Sequence, residues 1–170
     1  MAQYTGKVWV LGDDIDTDII IPTEYLALKT IEDMKQYGFS PLRPELAGQI
    51  QPGDIIVAGK NFGCGSSREQ APEVIKALGI PCIIAKSFAR IFYRNALNNG
   101  LLLLEQPELH DVVKEGDTIT VTVNEDVDYN GKKYPIASLP ENLMEIIEAG
   151  GLVKAMRKRT ESLGSHYRAD

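Results

Sequence analysis

The chain has 170 residues, of which 44% are apolar and 25% are charged, values typical of one globular domain. Its 18 basic and 24 acidic residues give a formal charge of −6, which argues against a nucleic-acid or membrane-surface partner. The sequence has no run of about 18 apolar residues that would span a membrane and no apolar signal-peptide core near Met1, so we expect a cytoplasmic protein.

The N-terminal third of the chain predicts one clear strand followed by less regular segments. Residues 7–11 (KVWVL) have the composition of a strand and precede an acidic loop over residues 12–18. Residues 19–21, all isoleucine, predict a short strand. Residues 23–37 predict an uneven helix, and the prolines and glycines of residues 38–52 predict a long surface connection.

Strands and helices alternate across the middle of the chain. Buried strands are predicted over residues 54–58, 80–85 and 101–104. Between the first two, residues 66–78 predict a helix with Ser66 or Ser67 as its N-cap. A second helix is predicted to begin at Ser87. This alternation predicts an α/β fold with a mainly parallel central sheet.

The pattern changes towards the C-terminus. Residues 118–123 alternate with the period of a strand, and Asn130-Gly131 predicts a type I′ hairpin added to the parallel sheet. Pro140 precedes a further helix. We divide the chain into a domain over residues 1–156 and a polar, basic tail over residues 157–170.

The few cysteines and histidines of the chain match no metal-site spacing. Cys64, Cys82, His110 and His166 are scattered, so we expect neither a zinc site nor another metal site in this chain. Two cysteines cannot supply the three or four thiolates that hold an iron–sulfur cluster. Cys82 lies inside an apolar run and is expected to be a buried core thiol.

The stretch most informative about function is GKNFGCGSSRE, residues 59–69. Gly63 and Gly65 allow sharp turns that bring backbone N–H groups close to a ligand, and a following helix N-terminus adds unpaired donors. Arg68 adds a guanidinium fork suited to a carboxylate or a phosphate. The stretch matches neither the P-loop nor the dinucleotide-binding glycine pattern. A purely structural strand-to-helix turn is the alternative, and the residues alone leave both open.

Two other features of these loops have a functional and a structural interpretation. A helix N-terminus and Arg68 would lower the pKa of a Cys64 nucleophile, but the stretch contains no histidine base. We therefore interpret Cys64 as a small residue near an anion site. The acidic loop lacks the spacing of a calcium loop, so we interpret Asp13, Asp14 and Asp16 as caps of local backbone groups.

Three segments read together resemble one family. They are residues 12–22 (GDDIDTDIIIP), residues 59–69, and residues 85–95 (AKSFARIFYRN). They resemble the small subunits of the isopropylmalate isomerase and homoaconitase group, the detached swivelling domain of the aconitase superfamily, across residues 8–156. The resemblance implies a swivelling β/β/α domain of the aconitase C-terminal type. It also implies an active site shared with a large subunit, in a heterodimer or heterotetramer.

The resemblance further implies the reaction, which is dehydration and rehydration of a small hydroxy-dicarboxylate. The large subunit would hold a [4Fe-4S] cluster whose iron assists the departure of hydroxide, and no cofactor is expected in this chain. In the family the first serine of the Gly-Ser-Ser-Arg motif is the base, which here is Ser66. Arg68 would support catalysis and clamp a substrate carboxylate, Asp18 would orient it, and Gly65 and Ser67 would contribute donors. A serine acts as a base only where its alkoxide is stabilised by helix N–H groups, loop amides and a cation.

The third segment has a structural interpretation. Ser87 is expected to cap the helix that follows it. Arg90 and Arg94 are expected to tie the domain together or to face the large subunit.

In this superfamily the segment after the first motif contacts the variable group of the substrate. The expected contacts here are Tyr25, Leu26, Ala27, Leu28 and Lys29. Aconitase- and homoaconitase-type members resemble each other in placing an arginine in this segment, and this chain has none there. Apolar Ala27 and Leu28 suit a branched alkyl group, which favours interconversion of 2- and 3-isopropylmalate.

A 2,3-dimethylmalate dehydratase or homoaconitase small subunit is the alternative, the latter if Lys29 points inward. A stand-alone small-anion-binding module is the alternative of another class.

Overall fold

The computed structural model describes residues 3–167, and the side chains of residues 3–161. Within this range seven strands form one sheet in the order β4-β3-β2-β1-β5-β6-β7. The strands are β1 (Gln3–Val10), β2 (Ile55–Ala58), β3 (Cys82–Ala85), β4 (Leu102–Glu105), β5 (Thr118–Thr122), β6 (Asp126–Tyr129) and β7 (Lys132–Pro135). The helices are α1 (Thr17–Ile20), α2 (Ile31–Lys35), α3 (Leu46–Gln49), α4 (Gln70–Ala77), α5 (Arg90–Asn98), α6 (Leu109–Val112), α7 (Glu141–Ala149) and α8 (Leu152–Tyr167). A 3-10 turn covers Thr23–Tyr25.

The sheet has a parallel half and an antiparallel half. Strands β1 to β4 are parallel, with Ile56 opposite Ile83 and Ile83 opposite Leu103. The predicted α/β fold is confirmed, and so are the three central strands. The antiparallel half is larger than the predicted hairpin, because β5 pairs with β1 as well as with β6. The hairpin itself turns at Asn130 (φ 52°) and Gly131 (φ 82°), both left-handed, as a type I′ turn requires.

Apolar side chains cover both faces of the parallel strands. Alternate residues point to opposite faces of a strand, so Ile56 and Ile83 belong to one cluster while Ile55 and Ile84 belong to the other. Helix α4 covers the first face through its apolar stripe, and α7 contributes Ile147 to the second. Strands buried on both faces carry no polar positions, which explains why they appear as unbroken apolar runs.

Two predictions for the N-terminal third are wrong. Residues 19–21 do not form a strand, because the Asp16 carboxylate accepts a hydrogen bond from Ile19 N (2.8 Å) and caps α1. Residues 38–52 are not merely a surface connection. Their apolar residues Phe39 and Leu46 are fully buried against the first core cluster, and α3 begins at Leu46.

The C-terminal helices extend beyond the predicted domain end. Gly150 is left-handed (φ 89°) and ends α7, and α8 then continues past Met156 to Tyr167. The division of the chain at residue 156 stays a prediction, and Arg168 of the basic tail lies outside the described residues. None of the helices that the structure describes has the length and apolar character needed to cross a bilayer.

Candidate active site

Two loops meet at the carboxyl edge of the parallel strands. One follows β1 and the other follows β2, and these neighbouring strands place both loops at the same edge of the sheet. Backbone hydrogen bonds join the loops, from Gly63 N to Ile15 O (2.7 Å) and from Thr17 N to Cys64 O (2.9 Å). The first two segments of the family pattern therefore form one continuous surface.

The aspartates of the first loop bond groups within these two loops. The Asp13 carboxylate accepts a hydrogen bond from Lys60 N (2.7 Å), and the Asp14 carboxylate accepts one from the side-chain amide of Asn61 (3.1 Å). Asp16 caps α1. The interpretation as a cap of a local backbone group is confirmed for Asp16 alone, because Asp13 and Asp14 instead bond groups of the other loop. No group of three His, Cys, Asp or Glu side chains suited to a metal ion occurs among the residues that the structure describes.

Arg68 joins the two loops through its guanidinium group. Its Nη1 pairs with the Asp18 carboxylate and donates to Ile21 O (3.0 Å), while Nη2 donates to Thr23 Oγ1 (2.7 Å). The Arg68 side chain is only 16% exposed, whereas that of Asp18 is 65% exposed. The structure thus brings together these two predicted site residues, which come from different motifs, and leaves the carboxylate open to solvent.

Ser66 lies beside a second hydroxyl group, that of Thr17. The two Oγ atoms are 3.3 Å apart, and Thr17 Oγ1 also donates to Ser66 O (3.0 Å). Thr17 is buried and Ser66 is exposed. Sequence analysis missed Thr17, although it directly precedes Asp18 within the first motif.

Helix α4 does not begin at Ser66. It begins at Gln70, with Glu69 as its N-cap, so its unpaired N–H groups lie beyond Ser66, Ser67 and Arg68. The prediction that Ser66 or Ser67 caps this helix is therefore wrong. The left-handed backbone at Gly65 (φ 96°) holds Ser66 in a loop, where its hydroxyl group neighbours that of Thr17.

A cavity of about 220 Å³ opens beside Ser66. Its lining residues are Thr17, Gly63, Gly65, Ser66, Ser67, Arg68, Ala89, Arg90, Ile91, Phe92 and Asn95. Pockets that enclose a small molecule usually measure roughly 300–1,000 Å³. This cavity is smaller and open, so it could enclose only part of such a molecule.

The third segment contributes to this cavity in an unexpected way. Ser87 does not cap α5, because its Oγ accepts a hydrogen bond from Asn61 N (2.8 Å) and the N-cap is Ala89. Ser87 therefore ties the loop after β3 to the loop after β2. Arg90, expected only to have a structural role, lines the cavity at the start of α5.

The predicted specificity segment is adjacent to Arg68 but does not line this cavity. Tyr25 stacks on Tyr37 with ring centroids 4.0 Å apart, and Leu26 and Leu28 pack against the core. Ala27 and Lys29 are exposed. Of the five predicted contacts, these two are therefore the most accessible to a ligand.

Neither cysteine has the environment of a reactive thiolate. Burial, followed by the negative charges of Asp16 and Asp14, raises the pKa of the Cys64 thiol. Cys82 is fully buried in β3, which raises its pKa further. A nucleophilic Cys64 would need a lowered pKa, so the nucleophile interpretation is contradicted. This donor set does not fit an iron–sulfur cluster either.

We expect Cys64 to react slowly with iodoacetamide at pH 7. Because its pKa is raised, the thiolate is scarce at neutral pH and becomes abundant only above the usual thiol range. The measurement is the alkylation rate as a function of pH, against an unstructured cysteine peptide. The Cys64→Ser variant is the control and should remain unlabelled, because Cys82 is buried. Alkylation faster than the peptide at pH 7, with loss of turnover, would restore the nucleophile interpretation.

Comparisons with known proteins agree with this geometry. The aconitase C-terminal domain family matches residues 24–109, half of the chain. The 3-isopropylmalate dehydratase small subunit of Lachnospira eligens is 80% identical over 156 residues, 92% of this chain and 95% of its own length. The chain belongs to this family of small subunits.

Further small subunits and a solved structure support the assignment. The isopropylmalate/citramalate isomerase small subunit of Methanocaldococcus jannaschii is 46% identical over 91% of this chain and 94% of its own length. A crystal structure of 3-isopropylmalate dehydratase from the same organism matches with a TM-score of 0.91 at 38% identity, covering 97% of this chain and 99% of that one. The family and the swivelling-domain fold predicted from three motifs are confirmed. A small subunit of a hydro-lyase has a large subunit as its partner.

Proposed function

We propose that the chain, together with a large subunit that carries a [4Fe-4S] cluster, interconverts 2-isopropylmalate and 3-isopropylmalate, a step of leucine biosynthesis in the cytoplasm. The observation that carries the proposal is the open cavity in which the Ser66 hydroxyl and the Arg68 guanidinium come together. The names of the small subunits to which the chain is similar support the substrate. The site residues and their roles are part of this proposal.

The chain supplies the proton-transfer part of the reaction. Dehydration of 2-isopropylmalate removes a proton from the carbon next to a carboxylate. We propose that Ser66 Oγ is the base that accepts this proton. A serine alkoxide needs hydrogen-bond donors, and the Thr17 hydroxyl, 3.3 Å away, would become one by turning its proton from Ser66 O to Ser66 Oγ. Rehydration returns the proton from the same oxygen to the neighbouring carbon, which exchanges the positions of hydrogen and hydroxyl.

Arg68 and Asp18 position the substrate beside Ser66. The contacts of Arg68 with Ile21 O and Thr23 Oγ1 fix its guanidinium plane, so binding a carboxylate there requires little further ordering. The exposed Asp18 carboxylate pairs with this guanidinium group and helps to orient it. Ser67 and Gly65 belong to the same loop and line the cavity.

Exposed Ala27 supports an alkyl rather than a carboxylate substituent on the substrate. A buried carboxylate without a partner is costly; residues 25–30 contain no arginine, and Lys29 is exposed and does not line the cavity. Citramalate carries a methyl group in place of isopropyl and is the second candidate substrate, because one relative is named an isopropylmalate/citramalate isomerase. Dimethylmalate presents the same kind of apolar group.

The Ala27→Arg variant should shift preference towards tricarboxylates. Because Ala27 is exposed, the arginine fits without disturbing the core and offers a charge-assisted hydrogen bond of about 1.5–3 kcal/mol to a third carboxylate. We expect the ratio of kcat/KM for homocitrate to that for isopropylmalate to rise at least about tenfold. Gln49→Arg, at an exposed position on α3, is the control and should leave the ratio unchanged. An unchanged ratio in the Ala27 variant would refute the specificity role of this segment.

Reconstitution distinguishes the enzyme from a stand-alone anion-binding module. The purified chain mixed with its large subunit should turn over 2-isopropylmalate, and neither chain should do so alone. By calorimetry, the isolated chain should bind 2-isopropylmalate weakly or not at all, because it holds only part of the site. Tight binding by the isolated chain, without turnover by the pair, would favour the binding module.

A further inference from the structure

The cavity at Ser66 holds a positive charge that no side chain within residues 3–161 neutralises. Arg68 and Arg90 both line it, and none of the described residues that line it is acidic. Arg68 is paired with Asp18. Arg90 is exposed and has neither an ion pair nor a side-chain hydrogen bond within the part of the chain whose side chains are described. The acidic chain therefore leaves one free guanidinium group facing its site.

Helix stability does not explain the position of Arg90. It is the first residue of α5, where the helix dipole makes a positive side chain unfavourable. Helices α4 and α7 instead carry Glu73 and Glu141 in their first turns, whereas α5 has no acidic residue there. Glu105 lines a neighbouring groove together with Arg90 but forms no ion pair with it. An arginine that costs helix stability and has no partner is placed as if to bind an anion.

We propose that Arg90 binds the second carboxylate of the dicarboxylate substrate, opposite the carboxylate that Arg68 holds. The inference rests on the proposed function. The substrate carries two negative charges, and the charge of Arg68 is already partly compensated by Asp18. Arg90 offers the remaining counter-charge and a bidentate fork from the first turn of α5. Arg90 is then a substrate-binding residue of the site, and Ser66 lines the same cavity.

The test compares Arg90→Gln and Arg90→Lys in the complex with the large subunit. The measurements are the Kd for 2-isopropylmalate by calorimetry, and KM and kcat at saturating large subunit. We expect Arg90→Gln to raise Kd and KM at least about tenfold while kcat changes less than about threefold, because the contact is made before and during the reaction. Arg90→Lys should recover part of the loss, because lysine keeps the charge and loses the fork.

Arg94→Gln is the matched control. Arg94 is exposed on the same helix, one turn further on, and does not line the cavity. It should leave Kd and KM unchanged. Equal losses in the Arg90 and Arg94 variants, or an unchanged Kd in Arg90→Gln at saturating large subunit, would overturn the inference. A wild-type pair that binds 2-isopropylmalate without turning it over would contradict the proposed function, and the Kd comparison would still decide the role of Arg90.

Discussion

Replacing Ser66 by alanine should lower kcat for 2-isopropylmalate by a factor of about 10²–10⁴, the contribution of a positioned general base. The side chain is exposed and hydrogen-bonds to Thr17 Oγ1, whose other bond is to the Ser66 main-chain oxygen and survives the substitution. The fold and the contact with the large subunit should therefore remain intact. The measurement is kcat for the reconstituted pair, with the affinity between the subunits determined in parallel.

Ser138→Ala is the matched control for this experiment. Ser138 is also exposed and donates one hydrogen bond, to Asn124 O (3.3 Å), outside the cavity. Its loss should leave kcat unchanged. If Ser66→Ala retains wild-type turnover, Ser66 is not the base. If it loses turnover only because the subunits separate, its role is in assembly.

Gly63→Ala should lower the free energy of unfolding by about 2–5 kcal/mol. Gly63 is left-handed (φ 86°), which costs a residue with a Cβ roughly 1–2 kcal/mol. A Cβ at this position would also overlap with the ring of Phe92, and overpacking of a core costs about 1–3 kcal/mol. Urea unfolding followed by circular dichroism measures the change.

Gly116→Ala separates the two causes of this loss. Gly116 is equally left-handed (φ 94°), but a Cβ there would meet no atom within 4 Å. It should cost only the backbone part, about 1–2 kcal/mol. If both variants lose the same stability, the contact between Gly63 and Phe92 does not restrict this loop.

The central strands could be predicted because their sequence has a single physical interpretation. Residues such as Ile56 and Ile83 are buried on both faces of a parallel sheet, and an unbroken apolar run bounded by glycine and proline is typical of that environment. Asn130-Gly131 was equally informative, since both residues must adopt left-handed backbone and their types allow it.

The site could be predicted only in part, because its geometry depends on contacts distant in sequence. The triple isoleucine at residues 19–21 has strand propensity, yet the Asp16 cap and burial of Ile20 impose a short helix. The start of α4 lies past the predicted cap at Ser66 because the left-handed Gly65 and the bonds to Thr17 hold the serine in a loop. Arg90 lies close to the Gly-rich loop because the two follow β3 and β2, which are adjacent and parallel. This pairing joins residues distant in sequence, so no local pattern predicts it.

The most direct test of the account is kcat/KM for 2-isopropylmalate, citramalate and homocitrate with the reconstituted pair under one set of conditions. We predict that 2-isopropylmalate has the highest value. It should exceed citramalate roughly tenfold, because its two additional methyl carbons contribute about 0.8 kcal/mol each when buried. Homocitrate, whose extra carboxylate meets no arginine in residues 25–30, should be lowest. A kcat/KM for homocitrate above that for 2-isopropylmalate would contradict the proposed substrate and the role assigned to Ala27.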